Sequence, residues 1–291
     1  MRPKPFLLFL PTIFVAASLA CSFGGRQGFR VETGSTQIFT LNEPSPGTGG
    51  VMEVNLAMAM GQLRLSAGSD SLLEGEVRYN VAAWKPAVTN KDNSWTVSQG
   101  GPNTTVRGLP GEDVVNVWDV RLGDVPMNLS LRAAAYDGTL DLSGLALMRL
   151  DIQDGASHSE IRFDTPNPEE MQSLKYQTGA SDITLRGLAN ANFTHMTFEG
   201  GAGDYTFDFS GDLQRDATVR IKVGLSNVQI LVPPGVSTSV FVEGRPRSVS
   251  SDGAWTQKSD HFANGDGAPR LSITVEMAAG GLQLGHPVSG Q

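Results

Sequence analysis

Cysteine occurs once in 291 residues. A single thiol excludes an intramolecular disulfide framework and any zinc site built on several cysteines. Charge is sparse too: Asp, Glu, Lys and Arg make up 18% of the chain, against a usual ~25%. Basic residues number 22 and acidic ones 30, for a formal net charge of −8. No Lys/Arg block stands anywhere in the chain, so the basic surface from which most nucleic-acid binding begins is missing, and no nucleic-acid partner is expected. Beyond the first residues no apolar run approaches the ~20 residues needed to span a bilayer. Helical spacing is scarce, with no such segment longer than about 12 residues. Glu169 to Leu174 offers one helical turn at most.

What the chain has instead is glycine and alternation. Gly numbers 34, where an average chain of this length carries about 20. Apolar residues make up 40%, enough for a sizeable core. High Gly with many Leu, Val, Ser and Thr points to short strands and many turns, an all-β chain.

The N-terminus reads as an export signal. Arg2 and Lys4 form a short basic region, Phe6 to Ala17 is mainly apolar, and Ser18-Leu19-Ala20 precede Cys21. This is the order of a secretory signal peptide over residues 1–20. The placement of Cys21 resembles a bacterial lipobox, although Ser18 stands where that pattern prefers Leu. The resemblance implies acylation of Cys21 and a membrane partner through an N-terminal lipid anchor, which two or more acyl chains make durable. The alternative is an ordinary signal peptide with a chance cysteine, and a secreted protein. Either address is extracytoplasmic. Residues 21–50, rich in Gly, Ser, Thr and Pro, read as a flexible tether.

Residues 51–126 read as an N-terminal β module. In it MEVNLAMAMGQLRLS alternates strictly, and Trp84, Trp95 and Trp118 are either ordinary core or a cover for the next domain. Residues 127–286 repeat. MNLSLRAAAYDGTLDLSG, MRLDIQDGASHSEIRFDT, SLKYQTGASDITLRG, HMTFEGGAGDYTFDFSG and TVRIKVGLSNVQILVPPG share one grammar: an alternating strand, a small-residue corner, a second strand, a turn. The corner glycines Gly155, Gly179, Gly201 and Gly224 are 24, 22 and 23 residues apart. The second-strand apolar pairs Leu140/Leu142, Ile161/Phe163, Ile183/Leu185, Tyr205/Phe207 and Val228/Ile230 keep similar intervals. A fixed period near 22 predicts a β-solenoid-like stack of ~22-residue coils, because one coil cannot bury its apolar face alone. Glycine at the corner would allow φ > 0 where the chain turns. LSITVEMAAGGLQLG looks like a late coil, and the polar stretch near 245–270 reads as a loop insertion before it. Roughly seven coils would make a stack on the order of 35 Å long.

Alternation puts Tyr205, Phe207 and Phe209 on one side, as core, and leaves Thr184, Arg186, Thr206, Asp208 and Gln229 outward. Asp182, Asp204 and Asn227 stand at matching places before the second strand. Stacked, they form a structural Asx ladder that satisfies backbone donors, or else a column offered to a cation or a sugar hydroxyl. Other chemistry is thin. The histidines His158, His195, His261 and His286 lack metal-ligand spacing, so no metal site and no cofactor is expected. There is no nucleophile elbow and no phosphate-binding loop. GGAGDYTFD at 200–208 misses the calcium nonapeptide, because Tyr205 stands where its Asp belongs.

With the repeats in place, the chain resembles the toast-rack family of bacterial envelope proteins, related to LiaF-like and adhesin-like domains of unknown function. LLEGEVRYNVAAWKP at 72–86, VWDVRLGD at 117–124, LDLSGLALMRLDI at 140–152, GAGDYTFDFSG and VPPGV carry the resemblance, which spans about residues 50–245. It implies an N-terminal module followed by a solenoid-like stack, and it brings no catalytic residues. DGASHSEIRFDT departs from the pattern, with His158 and an extra residue at the corner. The resulting expectation is a non-enzymatic, lipid-anchored surface protein that binds or scaffolds another envelope protein or a polysaccharide. The alternatives are an accessory of cell-envelope stress signalling and, further off, a polysaccharide-processing enzyme with paired carboxylates on a β-helix.

Overall fold

The computed structural model describes residues 31–287 except 46, 48, 101–110, 112 and 254. The signal peptide, Cys21 and the first part of the expected tether lie outside the described residues. In chain order the strands are β1 (Gln37–Glu43), β2 (Met52–Ser69), β3 (Leu73–Tyr79), β4 (Ala87–Lys91), β5 (Ser94–Ser98), β6 (Asn116–Gly123), β7 (Met127–Asp141) and β8 (Leu147–Arg162). They continue with β9 (Met171–Arg186), β10 (Phe193–Asp208), β11 (Ala217–Leu231), β12 (Ser237–Gly244), β13 (Ser248–Ser251), β14 (Thr256–Lys258), β15 (His261–Asn264) and β16 (Arg270–Gly285). The helical content among the described residues is two 3-10 turns, Ala82–Trp84 and Leu188–Ala191. The helical turn allowed at 169–174 does not form, because Met171 already opens β9.

The long strands cannot be straight. β7 and β8 pair in parallel through Asp141↔Arg162, yet only residues 142–146 connect them. Those residues reach about 20 Å, whereas a straight strand the length of β7 spans about 50 Å. Each long strand therefore doubles back at its corner, and its two halves face each other. The rings show this directly. Phe198 and Phe207 of β10 would lie about 30 Å apart in a straight strand, but their centroids are 4.9 Å apart, and Phe198 meets Tyr205 at 4.8 Å. Apolar residues at every second position of both halves point into this gap and make one continuous core, as the repeat requires.

Seven long strands stack in the order β2-β7-β8-β9-β10-β11-β16, each parallel to the next. Beyond each terminal strand lies a rung split into two separate strands. At one end β5 pairs the first half of β2 and β6 pairs its second half. At the other, β12 and β13 do the same for β16. Antiparallel strands then cover most of the free edges: β4 on β5, β3 and β1 on β6, β15 and β14 on β12. Such covering is what a parallel stack needs at its ends. Trp95 and Trp118 belong to the split rung and to the continuous core, so each is core and cover at once, whereas Trp84, in the turn before it, is buried outside that cluster.

Several particulars differ from the sequence reading. Residues 37–43, placed in the tether, form β1, whose Leu41 is buried against the core. The 245–270 segment carries three strands, and β16, last in sequence, inserts between β11 and β12. Pro246 explains that order: it lacks the donor an interior rung needs and is tolerated between the halves of a terminal one.

The corner glycines also work differently. Gly179, Gly201 and Gly224 are not in the left-handed region. A Cβ on each would lie 2.3–2.4 Å from the carbonyl oxygen of the preceding rung's glycine. They permit close approach of backbones. Positive φ falls two positions on, at Gly203 (144°), or one before the outward column, at Gly280 (117°).

The apolar-pair alignment slips by two at one rung. Ile161 pairs with Leu185, and Ser159 takes the place opposite Ile183. A shift of two keeps the same face inward. Ser159 is tolerated there because its hydroxyl meets Tyr176 Oη at 3.0 Å.

Candidate functional site

Behind the corner of β8 and β9 lies a buried polar knot. Asp154 is 7% exposed. Its carboxylate accepts hydrogen bonds from Tyr176 Oη at 2.9 Å, Ser157 Oγ at 3.0 Å, Ser181 Oγ at 3.3 Å and Thr178 Oγ1. Burial pushes the Tyr136 phenol up to about 12 and Tyr176 further still, with Asp154 adding to both. The phenols therefore stay protonated and able to donate. A buried carboxylate is costly unless its lone pairs are occupied, and here hydroxyls occupy them. The knot holds the rungs together and belongs to the scaffold.

The outward side chains divide by face. The first halves of the rungs form a face that carries several outward pairs, although Lys175, Thr197 and Thr274 on it have no side-chain hydrogen-bond partner among the described residues. Arg132 pairs with Asp151 at 3.3 Å, Gln177 donates to Glu199 at 2.6 Å, and Arg220 and Lys222 both reach Glu276 at 3.3 Å. The second halves begin in the same manner: Arg162 pairs with Asp141 at 2.6 Å and Arg186 with Glu160 at 2.9 Å. From β9 onward one outward column of the second face becomes neutral. Thr184, Thr206, Gln229, Gln283 and Ser250 follow one another rung by rung. Among the described residues their side chains have no hydrogen-bond partner.

Beside that column runs the sequence-predicted ladder. Asp204 pairs with Asn227 in register, and the Asp204 amide donates to Asp182 Oδ1 at 3.3 Å. Asn227 Nδ2 donates to Asp204 Oδ1 at 2.8 Å. The three residues are thus brought together, all exposed. Asp137 and His158 extend the same column. Sequence reasoning missed them, because the offsets at β7–β8 and β8–β9 are 21 and 24 residues. The widening interval between corner glycines was the available signal. Gly155, Gly179, Gly201 and Gly224 form the corner column described above.

Three catalytic possibilities can be judged by geometry. A groove of about 980 Å³ along the corner holds Glu199 and Glu276, two rungs or about 10 Å apart. The Lys222 hydrogen bond first, then Arg220, holds the Glu276 carboxyl below the usual range, whereas a glycosidase acid needs its pKa raised. Ser239 Oγ lies 2.8 Å from His261 Nε2 on β12 and β15. His261 has no carboxylate partner among the described residues, so the pair lacks the orienting acid of a triad. No group of three or more His, Cys, Asp or Glu side chains gathers as a metal centre among the described residues. No helix among them is long and apolar enough to cross a membrane.

Doubled-back parallel rungs, a glycine corner and split end rungs define a capped β-solenoid. The chain belongs to the toast-rack family: residues 34–173 and 167–231 match the N-terminal domain of toast_rack, DUF2154, and together span more than half of it. No curated protein matches the sequence. Among solved structures it is similar to a candidate cell adhesion protein from Clostridium sporogenes ATCC 15579, with 17% identity, TM-score 0.48, and coverage of 87% of this chain and 99% of that one. It is also similar to a candidate adhesin from Bacteroides fragilis NCTC 9343, with 11% identity, TM-score 0.42, and coverage of 88% and 100%. A candidate lipid binding protein from Parabacteroides distasonis ATCC 8503 follows, with 8% identity, TM-score 0.37, and coverage of 88% and 99%.

Proposed function

We propose that this protein is a non-enzymatic surface module, held to a membrane by acylated Cys21, whose solenoid presents its second face to a partner. One observation carries the reading. From β9 to β13 that face offers a regular column of neutral side chains, Thr184 through Ser250, with no partner among the described residues, on a stack closed by split rungs at both ends. Outward polar groups that spend nothing on one another are free to bind something else. The adhesin names of two similar solved structures agree in kind with this reading, which stands on the face itself.

The test uses intact cells carrying wild type or Cys21→Ala, a radioactive fatty acid, and surface crosslinking. Label that follows Cys21, membrane fractionation, and a discrete crosslinked partner are expected. Unlabelled, secreted wild type would remove the anchor. Absence of any crosslinked species on the cell surface would remove the binding role.

A further inference from the structure

We propose that the shallow trough over Gly281 is a subsite for one or two residues of a neutral glycan chain lying along the stack. The inference rests on the binding reading above and adds a place and a ligand class. The trough measures about 380 Å³. Its floor is Gly281, which lies between Asn227 and Ser248 in the outward column and leaves a gap there. Thr206, Gln229, Gln283 and Ser250 line it beside them.

The lining favours a sugar for three reasons. Hydroxyls and carboxamides both donate and accept, as sugar hydroxyls do. The side chains of Thr206, Gln229, Ser248, Ser250 and Gln283 have no partner among the described residues, so a ligand replaces only water. The rungs repeat every ~4.8 Å, close to the advance of one sugar in an extended β-1,4-linked chain, so successive rungs meet successive sugars. Charge points the same way. No Lys or Arg lines the trough, which disfavours phosphorylated or sulfated ligands, and its one carboxylate, Asp204, already accepts from Asn227.

The gap itself is not required by the backbone. Gly280 needs glycine, at φ 117° and with a Cβ that would strike Ser226 O at 1.8 Å. Gly281 is outside the left-handed region, and a Cβ there would meet only Ser248 Oγ at 3.3 Å and Asn227 Oδ1 at 3.5 Å. A side chain would fit at Gly281, and its absence makes the trough. With no aromatic platform, affinity for a tetrasaccharide is expected to be about millimolar.

The experiment measures saturation-transfer NMR on the full chain with chitotetraose, with cellotetraose, and with a sulfated tetrasaccharide as control. Gly281→Asn fills the trough, and Gln229→Ala removes one wall without touching a glycine. Expected is a signal from at least one neutral tetrasaccharide, little from the sulfated one, and a loss of roughly fivefold or more in each variant, with melting temperature nearly unchanged. If Gly281→Asn fails to fold, Gln229→Ala carries the test. No neutral signal with wild type overturns the inference, as does equal binding of the sulfated probe or a signal undiminished in the folded variants. A wild type that binds no tetrasaccharide yet crosslinks a partner on cells defeats the trough alone. Failure of both defeats the binding reading as well.

Discussion

On the first face, Arg132 reaches Asp151 while Arg220 and Lys222 close on Glu276. On the second, from β9 onward, the side chains of Thr184, Thr206, Gln229 and Gln283 have no hydrogen-bond partner among the described residues. Both faces are built from the same strands, at the same rung spacing, over the same core. The fold therefore does not decide what the outward residues do. The inward positions are constrained by packing, and the outward ones are free to be spent on self-pairing or kept for a ligand. Exposed ion pairs of the first kind contribute little to stability, about 0–1 kcal/mol each. Their clearer effect is to occupy groups that would otherwise be available.

If the faces are two sides of one folded strand, the residue that joins them should matter most. Phe198→Ala removes a ring that touches Tyr176 on the neighbouring rung and Tyr205 and Phe207 on the opposite half. A loss of ~3–5 kcal/mol is expected in denaturant titration. A loss below about 1 kcal/mol would mean the halves are not packed together.

The corner comes next. Gly201→Ala puts a Cβ 2.3 Å from Gly179 O, against backbone that cannot swing away. The expected cost is ~2–3 kcal/mol, read as a fall in melting temperature. Gly281→Ala, next to soft side-chain ends, should stay within about 0.5 kcal/mol. Equal effects would contradict the distinction between corner and trough.

The smallest effect separates the paired part of the second face from its neutral part. Burial tends to raise the Asp141 carboxyl, but the Arg162 guanidinium and hydrogen bonds from Ser143 outweigh it and hold it below the usual carboxylate range. A depressed folded pKa adds stability that is present above the unfolded value of ~3.9 and lost as pH falls through the folded one. Wild type should lose up to about 1 kcal/mol over that acid range relative to Asp141→Asn, since the pair is partly exposed. Identical pH profiles of urea unfolding would show that the ion pair contributes nothing.

Much of this architecture was legible from residue order. The interval between Gly155, Gly179, Gly201 and Gly224 tracks the true register, including its widening to 24 at β8–β9. The alternation of Tyr205, Phe207 and Phe209 put them inside correctly. Apolar pairs misled at Ile161, because Ser159 passes as an inward residue only through Tyr176, which is distant in sequence. The place of β16 was hidden for another reason. β12 and β16 alternate alike, and only Pro246 tells which can be interior. The ladder of Asp182, Asp204 and Asn227 was readable at similar offsets of 22 and 23 residues, whereas its continuation through His158 and Asp137 was not. The lack of side-chain partners on Thr206 and Gln229 depends on neighbours across rungs, which no single repeat displays.

The most direct test of the contrast between faces places one charge on each. Thr197→Arg on the first face and Thr206→Arg on the second alter the same strand, β10, at outward positions of similar exposure. Surface crosslinking on intact cells, with matched expression, should lose the partner in Thr206→Arg and keep it in Thr197→Arg. Loss in Thr197→Arg with retention in Thr206→Arg would contradict the account, as would equal retention in both.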